Sequence, residues 1–261
     1  MQYRISYACI SHPGKVRRIN QDNFICNGQY MTTEEQDRIF PIVGSCSSSE
    51  DALFGVFDGL GGGQFGEVAS QIAAQCAVDL QMQGGAMERL KKICLEANQK
   101  ICDFSAQQGV TTAGTTAAML LFTKKIFLCN IGDSKIYRFR RGSLDQISVD
   151  HICPAPFGVK PHLSQCLGIP AETIRIEPFY LKDKYVHEDI YVACSDGLTD
   201  MLQIEEIKSI LVSAPIEEAV VRLCKQSIEK GGHDNITIIL CKIEKEPRRL
   251  FQRKPLWKRE V

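Results

Sequence analysis

The chain has 261 residues, of which 44% are hydrophobic and 24% are charged, and its formal net charge is zero. These values are ordinary for a folded globular protein, and the length allows a sizeable core. The balanced charge argues against a nucleic-acid-binding protein, which is usually basic. No apolar run in the sequence approaches the roughly 18 residues that span a bilayer, and the N-terminus has no signal-peptide core. We therefore expect a cytoplasmic protein.

The first half of the chain predicts strands followed by two helices. Alternating or continuous apolar stretches predict strands over residues 2–10, 23–30 and 52–57. The polar residues 31–50 predict a connecting loop. Apolar residues at helical spacing predict helices over residues 67–83 and 87–105.

The second half begins with four short strand-like runs between residues 115 and 148, joined by turns of hairpin length. This pattern predicts an antiparallel meander. A strand over 189–194, helices from about 203 and over 216–229, and a last strand over 235–243 follow. Because strands come in groups and helices in pairs, we expect an α+β fold.

The cysteines and the C-terminal segment are two further features of the composition. The 12 cysteines include no C-x-x-C pair, and several lie in apolar runs, so we interpret them as reduced core residues. The segment 246–261 is a basic C-terminal tail, with six Lys or Arg residues, Phe251 and Trp257. It is either a docking segment for an acidic protein or membrane surface or a solvated terminus. We expect one catalytic domain over residues 1–245.

A glycine-rich loop, "FDGLGGGQFG", follows the predicted strand that ends at Asp58. Residues 61–66 match G-x-G-x-x-G, which favours a nucleotide-dependent oxidoreductase when a βαβ unit surrounds the loop. Here a second helix follows the first, and Asp79 lies inside a helix rather than after a second strand. The context therefore argues against a dinucleotide site and leaves a tight turn or a metal-binding loop.

Asp58 has counterparts at the ends of other predicted strands, namely Asp22, Asp133, Asp196 and Asp234. Each by itself is typical of a turn. Five of them in one protein predict a carboxylate cluster, and converging carboxylates repel one another unless a cation lies between them. Because all the ligands would be oxygen atoms, such a cluster favours Mg²⁺ or Mn²⁺ over Zn²⁺.

The ordered motifs "RRINQD", "FDGLGG", "AGTT", "IGDS", "SDGLTD" and "HDNIT" resemble those of the protein phosphatase 2C family, in its compact bacterial form. The resemblance runs from about residue 17 to residue 239. It implies a four-layer αββα sandwich, in which two antiparallel β-sheets are flanked by pairs of α-helices. It also implies a metal-dependent Ser/Thr protein phosphatase that is expected to be a monomer.

The resemblance also implies roles for individual residues. Asp58 would bridge two Mn²⁺ or Mg²⁺ ions, and the carbonyl of Gly59 would add a ligand. Arg17 would bind the phosphate. The other expected ligands are Asp22, Asp196 and Asp234. Asp133 would bind a third, weaker ion together with Asp196. The residues expected directly behind the ligands are Gln21, Ser134 and Asn235.

The implied reaction is the attack of a metal-activated water on phosphoserine or phosphothreonine in proteins, without a covalent intermediate. The expected partners are phosphoproteins that a Ser/Thr kinase has modified. Leu60 replaces the His of animal-type members, so water, His151 or His233 would protonate the leaving group. The flap over residues 151–167 is short and proline-rich. The alternative is a catalytically silent relative that binds phosphoproteins.

Overall fold

The computed structural model describes residues 2–32, 40–60, 65–110, 113–156 and 158–246. These residues form eleven strands and five helices. The strands are β1 (Tyr3–His12), β2 (Asp22–Cys26), β3 (Ile42–Ser47), β4 (Ala52–Asp58), β5 (Ala117–Phe122), β6 (Ile126–Ile131), β7 (Lys135–Arg140), β8 (Ser143–Gln146), β9 (Phe179–Asp183), β10 (Ile190–Cys194) and β11 (Ile236–Lys245). The helices are α1 (Gly66–Leu80), α2 (Ala86–Gln108), α3 (Asp196–Thr199), α4 (Ile204–Ser213) and α5 (Ile216–Glu229).

The strands form two antiparallel sheets. One has six strands in the order β3-β1-β11-β10-β7-β8, and the other has five in the order β2-β4-β5-β6-β9. The first and last long strands of the chain, β1 and β11, pair along their whole length, from Tyr3 opposite Lys245 to His12 opposite Ile236. This pairing joins the two ends of the described chain in the middle of the six-stranded sheet.

The two faces of each sheet are buried against different layers. In β4, Leu53 and Phe57 pack against α1 and α2, whereas Phe54 and Val56 pack against the other sheet. This follows from the period of two along a strand. A run that is apolar at every position therefore fits a strand with a helix layer on one side and a sheet on the other.

The six-stranded sheet shows the same division. In β11, Ile239 and Cys241 face the space between the sheets, whereas Ile238 and Leu240 pack against the layer that contains α4 and α5. The layers are thus helices, sheet, sheet and helices. The predicted α+β sandwich of four αββα layers is confirmed.

Most predicted elements are present, with two strands missed and one arrangement wrong. The stretch 31–50 is not only a loop, because β3 lies within it and forms the edge of the six-stranded sheet. The strand β9 was not predicted. The expected meander is wrong because β5 and β6 belong to one sheet and β7 and β8 to the other. The chain crosses between the sheets at the turn that carries Asp133.

All twelve cysteines are free, and nine of them are buried, as the sequence predicts for reduced core residues. Among the described residues, no helix is both long and apolar enough to cross a membrane. The basic tail after residue 246 and the glycines at positions 61–63 lie outside the described residues.

Candidate metal centre

Two of the predicted carboxylates lie side by side in the five-stranded sheet. Asp22 is the first residue of β2 and Asp58 is the last residue of β4, and the two are direct partners in the antiparallel register. Side chains of directly opposed residues project from the same face, and like charges in this position are destabilising. A pair of aspartates here therefore requires a nearby positive charge or a bound proton.

Three more carboxylates lie at one end of the strands of the six-stranded sheet. Asp133 stands two residues before β7, Asp196 two residues after β10, and Asp234 two residues before β11. These three strands are neighbours and run antiparallel. The start of β7, the end of β10 and the start of β11 therefore lie at the same end of the sheet, although 101 residues separate the first and last of the three aspartates.

A hydrogen bond between side chains joins these strand ends of the two sheets. The hydroxyl of Ser195 donates to Oδ2 of Asp22 at 2.7 Å, and the same hydroxyl accepts the backbone N–H of Thr237 at 2.9 Å. All three residues are buried. The hydroxyl thus links the six-stranded sheet to the carboxylate at the start of β2.

The charges of the cluster act on one another. Burial, followed by the carboxylates of Asp22, Asp196, Asp133 and Asp234, raises the pKa of Asp58 well above its ordinary value. Burial raises the pKa of Asp22 to about 7 despite its hydrogen bonds. Burial also raises the pKa of Asp196 to about 6, although Lys160 opposes the shift. The ionised cluster is therefore unfavourable without a compensating cation.

The backbone around Asp58 is held from the next strand. Its N–H donates to Oγ1 of Thr116 at 3.0 Å, and that hydroxyl shares a 2.6 Å hydrogen bond with the hydroxyl of Ser134. The carbonyl of Asp58 accepts from the hydroxyl of Thr115 and from the N–H of Thr116, both at 2.9 Å. Ser134, from the turn that carries Asp133, therefore supports Asp58 through Thr116.

Gly59 is required by its surroundings. A Cβ at this position would lie 2.3 Å from the carbonyl oxygen of Gly66 and 2.5 Å from that of Gln21. The Gly59 N–H donates to the Gln21 carbonyl at 3.1 Å. The start of α1 therefore packs directly on the turn after Asp58. This close contact explains why the first residue after Asp58 is a glycine, and a bound nucleotide is not needed to explain it.

Gln21 and Asn235 fix the chain on either side of the cluster. The N–H of Gln21 donates to Oδ1 of Asn235 at 2.8 Å, and Nδ2 of Asn235 donates to the carbonyls of Pro13 and Ile19 at 2.9 and 3.1 Å. Nε2 of Gln21 donates to Glu67 at 3.2 Å. Both residues thus orient the loop before Asp22.

Two of the carboxylates are paired with cations of the chain. Nη2 of Arg17 lies 2.9 Å from Oδ2 of Asp234. Nζ of Lys160 lies 2.5 Å from Oδ2 of Asp196 and 3.0 Å from Oδ2 of Asp200. With the side chains in these positions, no three His, Cys, Asp or Glu residues in the described ranges form a group that could hold a metal ion.

The donor atoms nevertheless fit a divalent cation. Oδ1 of Asp22 and Oδ1 of Asp196 are both buried without a hydrogen-bond partner, while the other oxygen of each carboxylate is held by Ser195 and by Lys160. A buried carboxylate oxygen without a partner is costly. A cation bound by these oxygens, of the hard kind that prefers oxygen ligands, would remove that cost.

The two histidines considered as proton donors lie in different settings. His233 is exposed. The backbone N–H of His151 donates to the carbonyl of Gly132 at 2.9 Å. The ring atom Nδ1 of His151 is buried without a hydrogen-bond partner. His151 therefore stands against the turn that carries Asp133. Leu60, which stands where animal-type members have a histidine, packs against Gly114. A Cβ added at Gly114 would lie 2.8 Å from Cδ1 of Leu60.

Sequence reasoning missed three residues of this site. Thr116 lies within the quoted "AGTT" motif and Ser195 within "SDGLTD", so the motifs contained them without revealing their hydrogen bonds. Lys160 lies in the proline-rich stretch between β8 and β9, and no pattern indicated that it reaches Asp196.

The sequence matches the model of the protein phosphatase 2C family over residues 31–230, which is most of the chain. The chain belongs to the protein phosphatase 2C family. The serine/threonine protein phosphatase PstP of Mycobacterium tuberculosis is 31% identical over 206 residues, which are 73% of this chain and 40% of that protein. The present phosphatase 2C chain thus spans less than half the length of this relative.

Other relatives match over most of their length. The serine/threonine phosphatase stp of Listeria monocytogenes is 27% identical over 249 residues, which cover 87% of this phosphatase 2C chain and 91% of the relative. A solved structure of the catalytic domain of PstP in complex with 2 manganese ions has a TM-score of 0.74 at 26% identity. It covers 94% of this chain, and the match includes 100% of the solved chain.

Proposed function

We propose that the chain is a metal-dependent protein phosphatase that hydrolyses phosphoserine and phosphothreonine in proteins. The observation that carries the proposal is the convergence of five aspartates at one edge of the sandwich, two of which have buried oxygens without partners. The manganese complex of the similar PstP domain supports the same assignment.

The ligands proposed for two Mn²⁺ or Mg²⁺ ions are the carboxylates of Asp58, Asp22, Asp196 and Asp234 and the carbonyl of Gly59. When bound, the ions would supply an activated water nucleophile and neutralise charge on the phosphoryl group. Asp58 is directly opposite Asp22 in the sheet, and the charges of Asp22, Asp196, Asp133 and Asp234 all raise its pKa. It is therefore the carboxylate best placed to be shared between two ions.

Arg17 is proposed to bind the substrate phosphate. Its side chain is 40% exposed and its Nη2 lies 2.9 Å from Oδ2 of Asp234, so it can reach a ligand at the mouth of the cluster. The planar fork of an arginine pairs with two phosphate oxygens at once. An arginine in this position would hold the phosphoryl group against the ions and stabilise charge that develops in the transition state.

Several broader assignments belong to the same proposal. The substrates are phosphoproteins produced by a Ser/Thr kinase, because hydrolysis of these esters needs a reaction that forms them. We assign residues 1–245 to the catalytic domain of a monomer and residues 246–261 to a basic C-terminal tail. Twelve free cysteines support a reducing, cytoplasmic setting.

The test is hydrolysis of a phosphothreonine peptide by the purified chain with and without Mn²⁺. We expect phosphate release that depends on Mn²⁺ and that falls by at least about a thousandfold in Asp58→Asn, since bound metal carries much of the catalysis. Asp103→Asn, which alters an exposed carboxylate on α2, is the matched control and should retain activity.

Two results would contradict the proposal. One is the absence of turnover with Mn²⁺ together with tight binding of the phosphopeptide, which would favour a catalytically silent binding protein. The other is full turnover in Asp58→Asn.

A further inference from the structure

Lys160 occupies an unusual position for a lysine near a proposed metal site. It lies in the segment between β8 and β9, and its Nζ donates to Oδ2 of Asp196 at 2.5 Å and to Oδ2 of Asp200 at 3.0 Å. Its side chain is 56% exposed, whereas that of Asp196 is 12% exposed. The ammonium group thus approaches the carboxylate cluster from the solvent side.

A third carboxylate lies within electrostatic reach of the same ammonium. Burial raises the pKa of Asp133, and the charges of Lys135 and Lys160 both oppose that shift. Lys135 is otherwise engaged, because its Nζ donates to Asp150 at 2.7 Å and to the Asp133 carbonyl at 3.1 Å. Lys160 is therefore the cation that hydrogen-bonds Asp196, and its charge, after that of Lys135, also acts on Asp133.

The two oxygens of Asp196 are used differently. Oδ1 is buried without a partner, and Oδ2 is held by Lys160. Asp196 can therefore offer Oδ1 to an ion inside the cluster while Oδ2 keeps its hydrogen bond to the ammonium. A metal bound between Asp133 and Asp196 on the outer side would have to displace that ammonium.

We propose that the ammonium of Lys160 takes the place of a third metal ion between Asp133 and Asp196, so that this chain holds two ions and not three. The inference rests on the proposed metal-dependent function and concerns the same site. On the outer side of Asp196, the ammonium of Lys160 would compensate the charge of the Asp196 carboxylate, as a metal ion would on the inner side. Lys160 is thus a positioning residue, since it acts through the Asp196 carboxylate.

The experiment counts Mn²⁺ ions bound to the full chain, by equilibrium dialysis with metal analysis and by isothermal titration calorimetry. The variants are Lys160→Gln, Lys160→Arg, and Lys160→Gln combined with Asp133→Asn. The control is Lys208→Gln, which removes an equal charge from a lysine that pairs with Glu205 on α4. Circular dichroism melts establish that each variant is folded.

We expect two ions in the wild type, in Lys160→Arg and in Lys208→Gln. Lys160→Gln should bind one more ion, more weakly than the first two, and the double variant should return to two because the added ion loses Asp133. Equal counts in the wild type and Lys160→Gln, or three ions in the wild type, would overturn the inference. A wild type that binds no Mn²⁺ would instead overturn the proposed function.

Discussion

Replacing Asp22 by Asn should stabilise the metal-free chain at neutral pH, although Asp22 is a proposed metal ligand. The carboxylate is buried, and its Oδ1 has no hydrogen-bond partner. Burial raises its pKa from 3.8 to about 7, and the charges of Asp196 and Asp234 add to the shift. An Asn side chain has no charge to repel and keeps an oxygen that can accept the Ser195 hydroxyl.

The magnitude follows from the pKa shift. Below pH 3.8 the carboxyl is protonated in both the folded and the unfolded chain, so it has no effect on stability. As the pH rises toward 7, the unfolded chain releases the proton and the folded chain keeps it, so the free energy of unfolding falls. A shift of this size, at about 1.4 kcal/mol per pKa unit, costs about 4 kcal/mol above pH 7.

The assay is urea unfolding followed by circular dichroism, in EDTA, at a series of pH values from 4 to 8. We expect Asp22→Asn to gain up to about 4 kcal/mol relative to the wild type between the two ends of this range. Asp103→Asn, with its exposed carboxylate on α2, should follow the wild-type curve. A difference between Asp22→Asn and the wild type that is the same at pH 4 and pH 8 would refute the reasoning.

Three further predictions concern other residues of the site. Ser195→Ala removes the hydroxyl that holds Asp22, so Mn²⁺ affinity measured by calorimetry should fall about 10–100-fold; unchanged affinity would contradict this role. Gly59→Ala places a Cβ 2.3 Å from the Gly66 carbonyl oxygen, so the free energy of unfolding should fall by about 1–3 kcal/mol, and an unchanged urea midpoint would argue against this contact. Arg17→Ala should lower kcat/KM about 10–100-fold by loss of charge-assisted hydrogen bonds, with Arg17→Lys intermediate, whereas equal kcat/KM values would exclude phosphate binding.

The sequence predicted the elements whose signals are local. The helices α1, α2, α4 and α5 carry apolar residues at helical spacing, and β4 is continuously apolar because both of its faces are covered. The strand β3 was missed because it is an edge strand that contains Gly44 and two serines and pairs only with β1. Its partner lies more than 30 residues away, so no short-range pattern marks it.

The arrangement of the sheets could not be predicted from neighbouring runs. The runs that became β6 and β7 are joined by a short turn, which is typical of a hairpin. In the structure β7 pairs with β10 instead, which places Asp133 where the chain passes from one sheet to the other. Packing between the two sheets decides this, and it depends on contacts that are distant in sequence.

The candidate site was predictable in its residue types and not in its hydrogen bonds. Five strand-end aspartates were visible as a set, because turns at strand ends follow from the local pattern. The pairing of Lys160 with Asp196 spans 36 residues of chain. It depends on the path of a proline-containing segment that has no periodicity, so only the structure reveals it.

The most direct test of the metal centre is X-ray diffraction from crystals grown with Mn²⁺, with data collected at the manganese absorption edge. We predict two anomalous peaks among the carboxylates of Asp22, Asp58, Asp196 and Asp234, with Asp58 in contact with both ions. Peaks bound by other side chains, or no peak at this edge of the sandwich, would contradict the assignment.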